Sequence, residues 1–155
     1  MTAASEVVYA AQQMVRPAEE TASRRISLLL GAGTTLGSPA ETPLMSDAIR
    51  WGDLLFLSGR AAVDPGSGEA RGDDFDAQCA IVLADVGAVL EAAGSGFELV
   101  LRVECWLADR ADFPAWNQAF KRAFPHPRPA RTTTIGQLPL PGLLVELQIT
   151  AGIRS

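Results

Sequence analysis

The sequence predicts an α+β fold: a mixed β-sheet with two helices on one face. Three features of the 155 residues carry this. Two segments alternate apolar and polar residues with the period of two expected of a strand with one buried face, and two others repeat apolar residues at helical spacing. Their order along the chain is β-β-α-β-α-β-β. Two helices laid against one face of such a sheet make a two-layer sandwich. With 48% hydrophobic and 20% charged residues the chain can build one core, and its length suits a single domain.

Residues 1–43 read as an N-terminal appendage and linker, and residues 44–155 as the domain. In the appendage, Ala10–Leu30 is the candidate helix, with Val15, Ile26, Leu28 and Leu29 as its apolar anchors. Gly31–Pro43, GAGTTLGSPAETP, has linker composition. Asp47–Arg50 and Leu54–Gly59 flank Trp51-Gly52-Asp53 and predict a hairpin. Its second arm, LLFLS, is a continuous apolar run, the pattern of a strand covered on both faces. Asp64-Pro65-Gly66-Ser67-Gly68 is turn chemistry. Asp73 or Asp74 then caps a helix carrying Phe75, Cys79, Val82, Val86, Val89, Leu90 and Ala93, and Gly94 stops it.

Leu99–Leu107 predicts a strand with Leu101, Val103, Cys105 and Leu107 on one side and Arg102, Glu104 and Trp106 on the other. A second helix starts at Asp112, tolerates Pro114 in its first turn, and presents Trp116, Ala119, Phe120, Ala123 and Phe124. Pro125, Pro127 and Pro129 end it and force an extended approach to Arg131-Thr132-Thr133-Thr134. In the last strand, Leu143–Gly152, Leu143, Val145, Leu147 and Ile149 share one face and Glu146, Gln148 and Thr150 the other. The second sheet face keeps large apolar groups, Trp106 among them, and so predicts self-association.

Charge and composition narrow the chemistry. Thirteen basic against 18 acidic residues leave a net charge of −5, the wrong balance for a protein that grips phosphate backbones. One His and two Cys are too few for a His/Cys zinc cage. A Ser-His-Asp triad would have to use His126, which reads as a loop residue between two prolines. Cys79 and Cys105 read as buried small hydrophobes. No apolar stretch approaches the about 18 residues of a membrane span, and the acidic N-terminus does not resemble a signal peptide. The expectation is a cytoplasmic protein with no metal, cofactor, membrane or nucleic-acid partner.

Three sites remain as candidates. Arg131 follows rigid prolines into a strand, where its guanidinium either forks a carboxylate or phosphate or is a solvated loop Arg. Glu146 sits amid LLVELQI, where a carboxylate must be paired, hydrogen-bonded or at a cleft, unless it is an ordinary outward residue. Ser58-Gly59 ends a strand. The Ser there can donate to a ligand and the Gly lets that ligand near the backbone, or the pair marks a strand end followed by a bulge. Asn117 faces out of the second helix.

The stretches GDLLFLSG, GDDFDAQ, VLEAAGSGFELVLRVECWLAD, DFPAWNQAF and PARTTTIGQLPLPGLLVELQ, taken in this order over about residues 44–153, resemble the RidA/YjgF family. The resemblance implies a chorismate-mutase-like fold and a homotrimer with clefts between subunits. It implies hydrolysis of reactive 2-imino or enamino acids to 2-keto acids and ammonia. It places the carboxylate-binding Arg on Arg131, the water-positioning acid on Glu146, and the cleft Ser, Gly and Asn on Ser58, Gly59 and Asn117. The chain departs from the family at three cleft positions. Met45 stands for a Tyr, Arg60 for a Gln, adding a charge near the cleft, and Thr133 for a common Cys. Such chemistry needs no metal or covalent nucleophile, because an iminium carbon is already electrophilic. The competing reading is a trimer that binds a keto or amino acid without turnover; an endoribonuclease is disfavoured by the net charge.

Overall fold

The structure, a computed structural model, describes residues 25–28 and 44–154. The elements are β1 (Arg25–Leu28), β2 (Ala48–Trp51), β3 (Leu54–Leu57), β4 (Arg60–Ala61), α1 (Phe75–Ala92), β5 (Val100–Leu107), α2 (Phe113–Ala123), β6 (Ala130–Ile135) and β7 (Val145–Gly152). The sheet order is β1-β2-β3-β7-β5-β6, with β4 pairing β7 beyond the end of β3. Only the β5–β6 pair is parallel, as its α2 crossover requires; the other described pairs are antiparallel. The α+β prediction holds, with two strands added to it, β1 and β4.

The first addition corrects the reading of the appendage. Arg25–Leu28 is not helical but forms the edge strand, paired with β2. Arg-Ile-Ser-Leu has the strand period, and Leu28 packs against the core while Ser27 is exposed. The rest of the expected helix lies outside the described residues.

The β2–β3 hairpin turns at Gly52-Asp53, with Gly52 at φ 58 and no other positive φ in the turn, as a type II′ turn requires. Asp74 caps α1 by accepting from the Ala77 N–H at 2.8 Å. Gly94, at φ 74, ends that helix's exit. Both helices cover one face of the sheet. Leu55, Leu57, Val103, Cys105, Leu107, Val145, Leu147 and Ile149 meet Val82, Val86, Leu90, Trp116 and Phe124 in the core. Cys79 and Cys105 are free and buried; burial pushes the Cys79 thiol up to about 11 and raises Cys105 further.

Two β-bulges shift the predicted alternation. In β5, Val100 and Arg102 face Ala151 and Thr150 on β7, so Leu101 is the extra residue. Val100 therefore takes the core position and Leu101 is 52% exposed, against the expectation that Leu101 would face inward. The second bulge lies between β3 and β4. Five residues, from Phe56 to Arg60, lie opposite four on β7, from Thr150 to Leu147. The break falls on Leu57, Ser58 and Gly59.

Leu54 and Phe56, 38% and 43% exposed, show that LLFLS is covered by the helices on one face only. Trp51 lies directly across from Leu54 and is exposed with it.

Candidate functional site

Ser58, Gly59 and Glu146 come together at the second bulge. Glu146 occupies β7 between Val145 and Leu147, both fully buried on the helix side, so it points to the open face. Its neighbour in that row is Trp106 on β5. Glu146 is half-buried among these groups, and that desolvation raises its pKa above the ordinary 4.5. The carboxylate is pressed onto Gly59: a methyl added there would lie 2.1 Å from Oε1. Gly59 has no left-handed φ, so it is needed for space and not for backbone conformation. Ser58 stands next in line, with its Oγ donating to the Ser46 carbonyl at 2.7 Å. The expected ligand donor thus directs its hydroxyl at a backbone carbonyl of its own chain. Met45, the residue before Ser46, is 54% exposed beside this group.

Arg60 does not join them. The extra residue of the bulge reverses the alternation, so Arg60 pairs with Leu147 on the helix side instead of flanking Glu146. It is 8% exposed, and its Nη2 binds Asp47 Oδ1 at 2.6 Å. The expected charge near the cleft is an internal ion pair.

Arg131 and Thr133 form a second group at the opposite edge, on β6. They face Val103 and Cys105, and therefore the helices. The Arg131 guanidinium lies over the rings of Phe113 and Phe120, 5.6 and 4.8 Å from their centroids, which brace it by cation–π contact. Thr133 Oγ1 accepts from Trp116 Nε1 at 3.2 Å. Asn117 is one helical turn from both Phe113 and Phe120 on α2 and shares their stripe.

One chain therefore holds the candidate residues in two separate groups. The row through Glu146 continues through Trp106 to Thr134 on β6. Two strand spacings and three residues along β6 separate Glu146 from Arg131, about 14 Å at the backbone, and the two side chains point to opposite faces. A carboxylate and the adjacent carbon of one small substrate cannot touch both within a single chain.

Sequence reasoning missed three supports. Phe120 was legible as part of a helix stripe, Phe113 was not, and neither was legible as the seat of Arg131. The Asp47–Arg60 pair depends on the bulge. The buried Gln78 binds the Gly142 carbonyl at 2.8 Å and accepts from the Leu144 N–H at 2.9 Å, holding the segment that leads into Glu146. Its signal was a polar residue on the apolar stripe of α1. Among the described residues, no group of three or more His, Cys, Asp or Glu side chains is placed to hold a metal ion, and no helix is long and apolar enough to cross a membrane.

The family model described as Endoribonuclease L-PSP matches residues 36–153. Reactive Intermediate Deaminase A, chloroplastic, of Arabidopsis thaliana is 35% identical over 108 residues, 69% of this chain and 58% of that protein. A RutC family protein of Pyrococcus horikoshii is 33% identical over 118 residues, 76% of this chain and 93% of its own length. The crystal structure of RidA from the Antarctic bacterium Psychrobacter sp. PAMC 21119 superposes with a TM-score of 0.65 at 31% identity, covering 79% of this chain and 98% of that one.

Proposed function

Because this chain belongs to the endoribonuclease L-PSP family, the RidA/YjgF family, we propose that it hydrolyses 2-imino or enamino acids to 2-keto acids and ammonia. The observation that carries this reading is Glu146: a half-buried carboxylate of raised pKa, seated against Gly59 and next to Ser58. Such a group takes a proton from water more readily than an ordinary surface carboxylate. Water adds to the C=N carbon, Glu146 receives its proton, and the carbinolamine collapses to ketone and ammonia with that proton returned to nitrogen. Arg131 binds the substrate carboxylate through two parallel hydrogen bonds, braced by Phe113 and Phe120. Fixing carboxylate and water together supplies proximity, so neither metal nor covalent nucleophile is needed.

The active unit in this reading is a homotrimer in which Arg131 of one subunit reaches the Glu146 cleft of the next. The open sheet face supports it, since Trp51, Leu54, Phe56 and Leu101 are 47%, 38%, 43% and 52% exposed in the single chain. Ribonuclease action, which the family's name would suggest, conflicts with the net charge of −5.

The test is release of 2-keto acid from 2-iminobutyrate generated in situ by an amino-acid oxidase. Arg131→Ala is expected to raise KM and lower kcat/KM, and Glu146→Ala to lower kcat by about 100-fold or more. Turnover surviving Glu146→Ala would remove its role as base. Tight binding of 2-oxobutyrate without turnover of any imine would identify a binding trimer instead.

A further inference from the structure

We infer that Arg60 and Asp47 are a positioning pair that fixes Ser58 as a hydrogen-bond acceptor toward the ligand, so that this wall of the cleft selects compounds with an N–H at C2. The inference rests on the imine reading and concerns the polarity of the same site.

A serine hydroxyl has one proton and two lone pairs. The Ser58 proton is directed at the Ser46 carbonyl, 2.7 Å away, and a carbonyl can only accept. What Ser58 offers outward is lone pairs. Beside it, across Gly59, stands the Glu146 carboxylate, also an acceptor above its pKa. Acceptors on either side of Gly59 match an iminium or ammonium N–H and repel a keto oxygen.

This polarity lasts only while the Ser46 carbonyl stays in position, and Asp47 holds it there. The Asp47 N–H donates to the Leu28 carbonyl at 2.9 Å, and its own carbonyl accepts from the Ser58 N–H at 3.0 Å. Arg60 Nη2 binds the Asp47 carboxylate at 2.6 Å and lies 3.4 Å from the Asp47 carbonyl. The two side chains are 10% and 5% exposed, so solvent competes little for either charge. Ser46 is tied on its other side through its Oγ, 2.6 Å from the Ser27 hydroxyl on β1. The Ser46-Asp47 segment is thus fastened to β1, to Ser58 just past β3, and to β4 at once, and Arg60 supplies a charged fastening.

The experiment compares two ligands with the same carbon skeleton and carboxylate by calorimetry at neutral pH. 2-Aminobutyrate carries N–H groups at C2, and 2-oxobutyrate carries only an acceptor there. Ser58→Ala is expected to weaken 2-aminobutyrate by about tenfold or more, the size of a lost hydrogen bond to a charged group, and to leave 2-oxobutyrate within about twofold. Arg60→Gln is expected to move the preference in the same direction, because the released hydroxyl can turn its proton outward. The double variant R60Q/D47N, an uncharged amide pair of similar shape, is expected to restore the wild-type preference, which a general loss of stability would not do. Equal weakening of both ligands by Ser58→Ala, or a larger loss for 2-oxobutyrate, would make Ser58 a donor and overturn the proposal. An unchanged preference in Arg60→Gln would remove the pair's role and leave the imine reading standing. Failure of the wild-type chain to bind 2-aminobutyrate would overturn this inference, while turnover of 2-iminobutyrate decides the imine reading separately.

Discussion

Glu146 is a carboxylate that the fold holds against its own stability. Its neighbours in sequence are buried, and desolvation raises its pKa above 4.5. A raised carboxylate pKa means the folded state binds the proton more tightly than the unfolded state. The stabilising contribution is fully present below the unfolded value and is lost as pH rises through the folded one. Glu146→Gln should therefore raise Tm at neutral pH and leave it nearly unchanged near pH 4, read by thermal melts at both. In turnover the sign reverses, because the base works only when ionised. The acid limb of kcat/KM should lie above 4.5 and vanish with Glu146→Gln, along with about 100-fold or more of the rate. Glu146 was legible in the sequence because a charge inside LLVELQI calls for a reason. Arg60 was misread, since one inserted residue upstream turns it to the other face, and such an insertion leaves no mark in apolar alternation.

At the scale of elements, the bulge joining β3 to β4 brings the candidate residues together. It ends the β3 alternation and places Gly59 over Glu146, while Arg60 turns inward to Asp47. Bulges beside active sites commonly re-aim side chains in this way. Gly59→Ala tests the arrangement. Its Cβ would fall 2.1 Å from Glu146 Oε1 and 3.2 Å from Cδ. The contact is with the far end of a flexible side chain and Gly59 has no positive φ, so the carboxylate moves and the backbone stays. The expected stability loss is about 1 kcal/mol. The expected rate loss is on the order of 100-fold, the effect of displacing a catalytic group by an ångström. A variant that melts like wild type and turns over like wild type would show that Glu146 needs no fixed seat. The sequence showed Ser58-Gly59 as a strand end with either a ligand or a bulge as its reason, and the bulge is there. It did not show β1, because Arg25–Leu28 is four residues long and its alternation reads equally as one turn of an amphipathic helix.

At the scale of the molecule, a chain whose two half-sites face opposite ways makes a sharp demand on assembly. In a ring of like subunits each interface joins two different surfaces. If each cleft takes Glu146 from one subunit and Arg131 from its neighbour, two dead variants can repair each other. Arg131→Ala subunits still carry a sound Glu146, and Glu146→Ala subunits a sound Arg131. Co-expressed in equal amounts and purified through two tags, they should regain up to about a third of the wild-type rate, since every mixed ring of three leaves one of its three interfaces with both groups intact. Mixing Arg131→Ala with a double variant lacking both groups should restore nothing. A silent mixture of mixed trimers would mean that both groups of a site come from one chain, which the opposite faces of Arg131 and Glu146 in the sheet register forbid for a small substrate. The sequence could suggest this demand only indirectly, through apolar residues left on the nominally outer face. Which side of the sheet Arg131 takes depends on the parallel pairing of β6 with β5, and no local pattern around Arg131 records that register.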